Sequence, residues 1–165
     1  MYMAYGKALF YFHYLERQLA MFIASWDTLK DREDDRSFGR LLDELHTKTF
    51  GALIRQGVKN GSLSTEDEWA LSQAKDLRNH LVHHVSDSMV LRMFTKQGPE
   101  DVVEEIWDIA AQFRGTAMAL NERSVDCQRL RGVSDEDVRK YAAKVIDRAK
   151  ALKRITDFKP PVSAH

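Results

Sequence analysis

The chain has 165 residues, with 25 basic side chains balanced by 25 acidic ones and a mean hydropathy of −0.46. That length fits one domain whose core needs no covalent or metal staples, and the zero net charge excludes global attraction to a polyanion, so any nucleic acid must meet a local patch. A single cysteine, Cys127, excludes an internal disulfide and fits a reducing compartment, no apolar run is long enough to span a bilayer, and the cytoplasm is the expected location.

The first predicted helix runs over residues 3–29. Its apolar and aromatic start is broken by Lys7, His13, Glu16 and Arg17, so it does not read as a signal peptide. Tyr5, Leu9, Phe12, Glu16, Leu19, Ile23 and Trp26 recur in alternating steps of four and three, which places them on one helical seam. Glu16 is the odd member, because a carboxylate inside an apolar stripe must find a partner or bear a desolvation cost.

The charged run at 31–36 reads as a solvated linker. A second helix starts after Ser37, an N-cap residue, turns Phe38, Leu41, Leu45, Ala52 and Leu53 inward and stops near Asn60-Gly61. Ser64-Thr65-Glu66-Asp67 has the form of a capped helix start, with acidic residues that suit the positive end of the helix dipole. The third helix that follows, to about residue 88, has Ala70, Ala74, Leu77, Leu81 and Val85 as its seam.

Residues 89–94 fit either an extended segment or the tail of that helix. Gln97-Gly98-Pro99 makes a clear break, after which a fourth helix is predicted over about 99–124, with Val103, Ile106, Ala110, Phe113, Ala117 and Leu120 inward. A fifth is predicted from Ser134 to Ile155. The expected architecture is an all-α, up-and-down bundle of about five helices over residues 1–158, with 159–165 as a flexible tail. Trp26, Trp69 and Trp107 are expected to anchor the core or a dimer face, and Cys127 has no neighbour in sequence that would make it reactive.

The most unusual local sequence is Asp76-Leu77-Arg78-Asn79-His80-Leu81-Val82-His83-His84. Asp76, His80, His83 and Asp87 line one face of the predicted helix. One reading is a merely amphipathic helix. A second is a metal site, since His80 and His84 are one turn apart, but no companion ligand pair appears elsewhere, and neither a metal nor another cofactor is expected. A third pairs Arg78 with His83.

Arg78-Asn79 followed by His83, inside a helical bundle, resembles the signature of HEPN domains: an arginine, often followed by asparagine, and a histidine after four to six residues. Tyr14-Leu15-Glu16-Arg17 on the first helix and Thr49-Phe50-Gly51-Ala52-Leu53 on the second are similar to that family too. The resemblance covers residues 3–125 and implies a homodimer whose paired motifs face a shared cleft, acting as a metal-independent endoribonuclease or binding RNA. It implies Arg78 and His83 as the catalytic pair, with Asn79 orienting the imidazole or a phosphate oxygen. The chemistry suits these side chains: imidazole gains and loses a proton near neutral pH, and guanidinium offers forked donors to phosphate charge. Two readings of Glu16 stand open: it pairs with Arg78 and holds it, or it lies at a helix edge and reaches water. His84 gives the motif a five-residue gap instead of four, but it points toward the core seam, which leaves His83 as the catalytic choice.

Toxin members of the family imply an antitoxin or a nucleotidyltransferase as partner. Val85 stands where some of them carry a modified tyrosine, so that regulation is not carried over. Other members have lost nuclease activity and bind nucleotides, RNA or proteins, so a non-enzymatic dimerisation or binding module stays open beside the ribonuclease.

Overall fold

Apolar residues spaced alternately three and four apart make a helix face that must be covered, and two such faces meet at the centre of this protein. The computed structural model describes residues 2–30, 37–83, 92, 94–95, 97–134, 136, 139–140 and 143. Its helices are α1 (Tyr2–Lys30), α2 (Ser37–His46), α3 (Phe50–Asn60), α4 (Thr65–His83) and α5 (Gly98–Leu130), and no strand occurs among the described residues. The chain divides into two compact units, Met1–Arg131 and Gly132–His165, and these five helices belong to the first. In the second, Glu136, Arg139, Lys140 and Ala143 are helical and Lys140 lies 3.8 Å from Glu136; most of the predicted fifth helix and all of the predicted tail lie outside the described residues. No described helix is long and apolar enough to cross a membrane.

The main pairing is α1 with α5. Ala4, Ala8, Phe12, Leu15, Leu19 and Ile23 are buried on the first, and Val102, Ile106, Ala110, Phe113, Ala117 and Leu120 on the second. The alanines let the backbones approach, and Phe12 fills the space between them, meeting Phe113 edge-on at 5.3 Å and Phe50 of α3 at 5.0 Å. Such edge-to-face pairs add about 1 kcal/mol to the area they bury.

Cross-helix pairs fix the directions. Lys7 lies over Trp107, Phe12 meets Phe113, and Ser25 shares a hydrogen bond with Ser124, so α1 and α5 run parallel. Phe50 against Phe12 and Asn60 on Asp27 make α3 parallel to α1. Asp67 with Arg123 and His80 with Glu105 make α4 antiparallel to α5. Helix α2 starts beyond the end of α1 and returns to place His46 in a hollow with His13 and Arg17. The helices therefore alternate up and down along the chain, as the bundle expectation requires.

Four local details depart from the sequence reading. The buried α1 face is Ala4, Ala8, Phe12, Leu15 and Leu19, which leaves Tyr5 and Glu16 at its edge. The predicted second helix is two helices, broken at Thr47–Thr49. Thr47 Oγ1 donates to the Glu44 carbonyl at 2.7 Å, and Thr49, in extended conformation, accepts from the Ala52 N–H as the N-cap of α3; short hydroxyl side chains compete for the backbone in this way. Trp69 is exposed on α4, whereas Trp26 packs partly buried against the core. Helix α5 also continues past residue 124 to Leu130, burying Ser124 and Cys127 on the same face.

The start of α4 follows the sequence closely. Ser64 and Asp67 form a reciprocal capping box: the Ser64 N–H donates to Asp67 Oδ2 at 2.8 Å and the Asp67 N–H to Ser64 Oγ at 3.1 Å. The entry into α5 is set by Gly98, whose N–H donates to Thr95 Oγ1 and where an added Cβ would overlap the Arg92 carbonyl oxygen. Pro99 then occupies the first turn, where its missing N–H is no loss.

Candidate functional site

Helix α4 carries the candidate residues because its inner face is narrow: only Leu71, Ala74 and Leu81 are buried, and the remaining circumference is free for polar side chains. Arg78 sits on the flank of that face, half-buried. Its Nη1 donates to Asn79 Oδ1 at 3.2 Å, and its guanidinium carbon lies 5.8 Å from the centre of the Phe12 ring. Among the described residues no carboxylate pairs with Arg78. Asn79 thus engages Arg78 directly and stands one turn before His83 on the same side of the helix.

His83 is exposed in the last turn of α4. Five residues along a helix separate Arg78 from His83 by about 7.5 Å of rise and about 140° of rotation. One protomer therefore presents the two side chains to different directions, the arginine beside Phe12 and the histidine to solvent. His84 and Asp87 lie outside the described residues, as does Val85.

Glu16 does not reach Arg78. Its Oε2 lies 3.0 Å from His13 Nδ1 on its own helix, and it lines an open hollow with His13, Arg17, His46 and Lys48. The expected pairing fails because the buried face of α1 is centred on Leu15 and Leu19, which turns Glu16 away from α4 and toward α2 and α3.

His80 belongs to a different cluster from the one its spacing suggested. Its Nε2 lies 3.9 Å from Glu105 Oε1 of α5, and Glu105 Oε2 accepts from Arg92 Nη1 at 2.6 Å. Glu105 therefore links Arg92 to α4. No group of three or more metal-ligating side chains occurs among the described residues, and the second imidazole of the His80/His84 reading is outside them.

Sequence reading missed two features. The Arg92–Glu105 pair joins residues thirteen apart across a turn, and neither neighbourhood has a pattern that selects the other. The second is a concentration of cations on α3 and its surroundings, where Lys48, Arg55 and Lys59 line a second open hollow with Gln56 and Asn60. These positions follow the helical repeat of α3 but looked like ordinary solvated surface, because nothing in the sequence shows which faces adjoin.

Chemically, α4 offers a held guanidinium with no counter-ion among the described residues and an accessible imidazole, groups that suit an anionic substrate that needs proton transfer. No family model, curated protein or solved structure matches this chain.

Proposed function

We propose that this chain is a HEPN-like bundle that acts on RNA as a homodimer and cleaves it without metal, using Arg78 and His83. The observation that carries this reading is Arg78 itself: half-buried, oriented by Asn79 and Phe12, and without a carboxylate partner among the described residues. An arginine kept in that state is charged and directed, and a phosphate is the partner that matches its fork of donors.

The step is transesterification within the RNA strand. The 2′-oxygen forms a bond to phosphorus as an imidazole takes its proton, the bond from phosphorus to the 5′-oxygen breaks, and a second imidazole returns a proton to that oxygen. His83 supplies one imidazole per protomer, so a symmetric pair supplies both. Arg78 stabilises the charge that builds on the phosphoryl oxygens. The rotation of about 140° between Arg78 and His83 on one helix favours a site in which the arginine of one protomer works with the histidine of the other. A toxin–antitoxin setting, with a protein antitoxin restraining the cleft, follows from the same resemblance.

Cleavage of a mixed-sequence RNA by the purified protein in excess EDTA tests this. The wild type is expected to cut, and Arg78→Ala and His83→Ala are each expected to lose at least about 100-fold in rate, the scale of a missing acid–base or oxyanion group. Full activity in either variant removes the proposal.

A second reading, a non-enzymatic protein-binding module, is favoured by one feature: Tyr2, Met3 and Phe10 stand exposed along the first turns of α1. A dimer in solution that neither binds nor cuts RNA supports it.

A further inference from the structure

The chain is neutral as a whole, yet its cations are unevenly placed. Arg55 and Lys59 lie one turn apart on the outer face of α3 and line a hollow of about 530 Å³ with Lys48. Lys48 also lines the neighbouring hollow of about 320 Å³, where Arg17 is the other full cation. The carboxylates beside these cations are engaged: Glu16 by His13, Asp27 by Asn60 at 2.7 Å, Asp76 by Lys75 at 3.9 Å, and Glu44 by Lys48, whose ammonium donates to it at 2.9 Å and holds its carboxyl below the ordinary value. Arg17, Arg55 and Lys59 are exposed and have no carboxylate partner among the described residues.

The strip does not end on α3. A Cβ placed on Gly51 would touch Arg55 Nη1 at 3.8 Å and Lys75 Cδ at 4.0 Å, so these two side chains both approach α3 at Gly51. Lys75 is on α4, and Arg78 follows it by one turn on the same side. Lys59, Arg55, Lys75 and Arg78 thus form a continuous line from the end of α3 to the candidate catalytic arginine, with Lys48 beside it. By contrast, Glu100, Asp101, Glu104, Glu105 and Asp108 gather in the first turns of α5.

We infer that the line Lys59–Arg55–Lys75 is a phosphate track that guides the backbone of single-stranded RNA to Arg78. This rests on the RNA reading above and adds to it the path of the strand. Separated cations on an open, shallow surface suit a flexible chain of phosphates better than one small anion, which needs converging donors in an enclosed pocket. No aromatic side chain lines the hollow of Lys48, Arg55 and Lys59, so the track holds backbone and does not read bases.

The test uses His83→Ala as parent, so that the RNA stays intact, and compares it with the same chain also carrying Arg55→Ala, Lys59→Ala and Lys75→Ala. Fluorescence anisotropy of a labelled single-stranded RNA in EDTA is recorded over a salt series, with circular dichroism to show that both proteins are folded. The triple replacement is expected to weaken binding at least about 10-fold at 0.1 M salt and to flatten the log–log salt slope by about 2, since each phosphate contact on a single strand contributes about 0.7. Lys59→Ala alone, an exposed change in the last turn of α3, is expected to flatten it by about 0.7. Binding by the parent with unchanged affinity and slope in these variants overturns the track and leaves the RNA reading standing. A parent that ignores RNA, or that instead binds phosphatidylserine vesicles, beside a wild type that cuts nothing, overturns both.

Discussion

Arg123 of α5 donates through Nη1 to Asp67 Oδ1 at 2.8 Å while its guanidinium lies 4.3 Å from the centre of the Phe22 ring. Arg78 has a similar seat over Phe12 near the other end of α4, but among the described residues no carboxylate closes it. The first arginine is spent on structure, since it also donates through Nη2 to the Ser62 carbonyl and so joins the α3–α4 turn to α5. The second has no carboxylate partner among the described residues and, in the proposed reading, meets an RNA phosphate.

Arg123→Ala is therefore expected to destabilise the fold by about 2 kcal/mol, the scale of charge-assisted hydrogen bonds lost from a partly buried site. Arg78→Ala is expected to change stability by less than about 1 kcal/mol, since only a cation–ring contact and one bond to a neighbouring side chain are removed. Urea unfolding of the two variants checks the contrast.

The same pair sets an acid dependence. Burial raises the Asp67 carboxyl, but the Ser64 N–H, Arg123 and the Ser64 hydroxyl outweigh it, and the group titrates below the ordinary aspartate value of 3.8. A lowered folded-state pKa gives stability that is present above the unfolded value and lost as pH falls through the folded one. Wild-type stability is expected to drop more steeply below about pH 4 than that of Asp67→Asn, with the curves converging at lower pH. Parallel curves in urea titrations across this range would contradict it.

Two glycines separate backbone need from chance. Gly98→Ala is expected to destabilise by about 2 kcal/mol or more, because the new methyl would meet the rigid Arg92 carbonyl. Gly115→Ala lies exposed inside α5 with no atom within 4 Å of the added carbon, and is expected to stabilise by about 0.5–1 kcal/mol. Thermal unfolding of both variants reads opposite signs.

Cys127 is a buried core residue, not a reactive one. Burial pushes its thiol above the ordinary value, Arg123 opposes that, and Asp126 reinforces it. Labelling by a thiol reagent at pH 8 is expected to be at least about 100-fold slower in the native protein than in urea, since both thiolate and access are scarce until the helix opens. Equal rates would place the thiol at the surface.

Legibility in the sequence followed the range of the forces involved. The capping box at Ser64 and Asp67 was readable because both partners lie within one helical turn. The α5 face from Ile106 to Leu120 was readable because one period governs it. The α1 face was misjudged by one position: Ala4 and Ala8 are weakly apolar, but they are what the crossing with α5 buries, and the larger Tyr5 and Leu9 lie at the edge. That shift removed Glu16 from Arg78. The break at Thr47–Thr49 was hidden because Leu45 and Leu53 both face inward and keep an apparent seam across it. The Arg92–Glu105 pair and the approach of Arg55 and Lys75 to Gly51 depend on tertiary placement, to which helical periodicity is blind.

The most direct test of a site shared between protomers is to mix wild-type and His83→Ala protein in equal amounts, allow subunits to exchange, and measure RNA cleavage in EDTA. The step uses one His83 imidazole from each protomer, so only dimers of two wild-type chains cut, and the rate is expected to fall to about a quarter of that of the same total amount of wild type. A rate of about one half, as independent protomers give, would contradict the shared site.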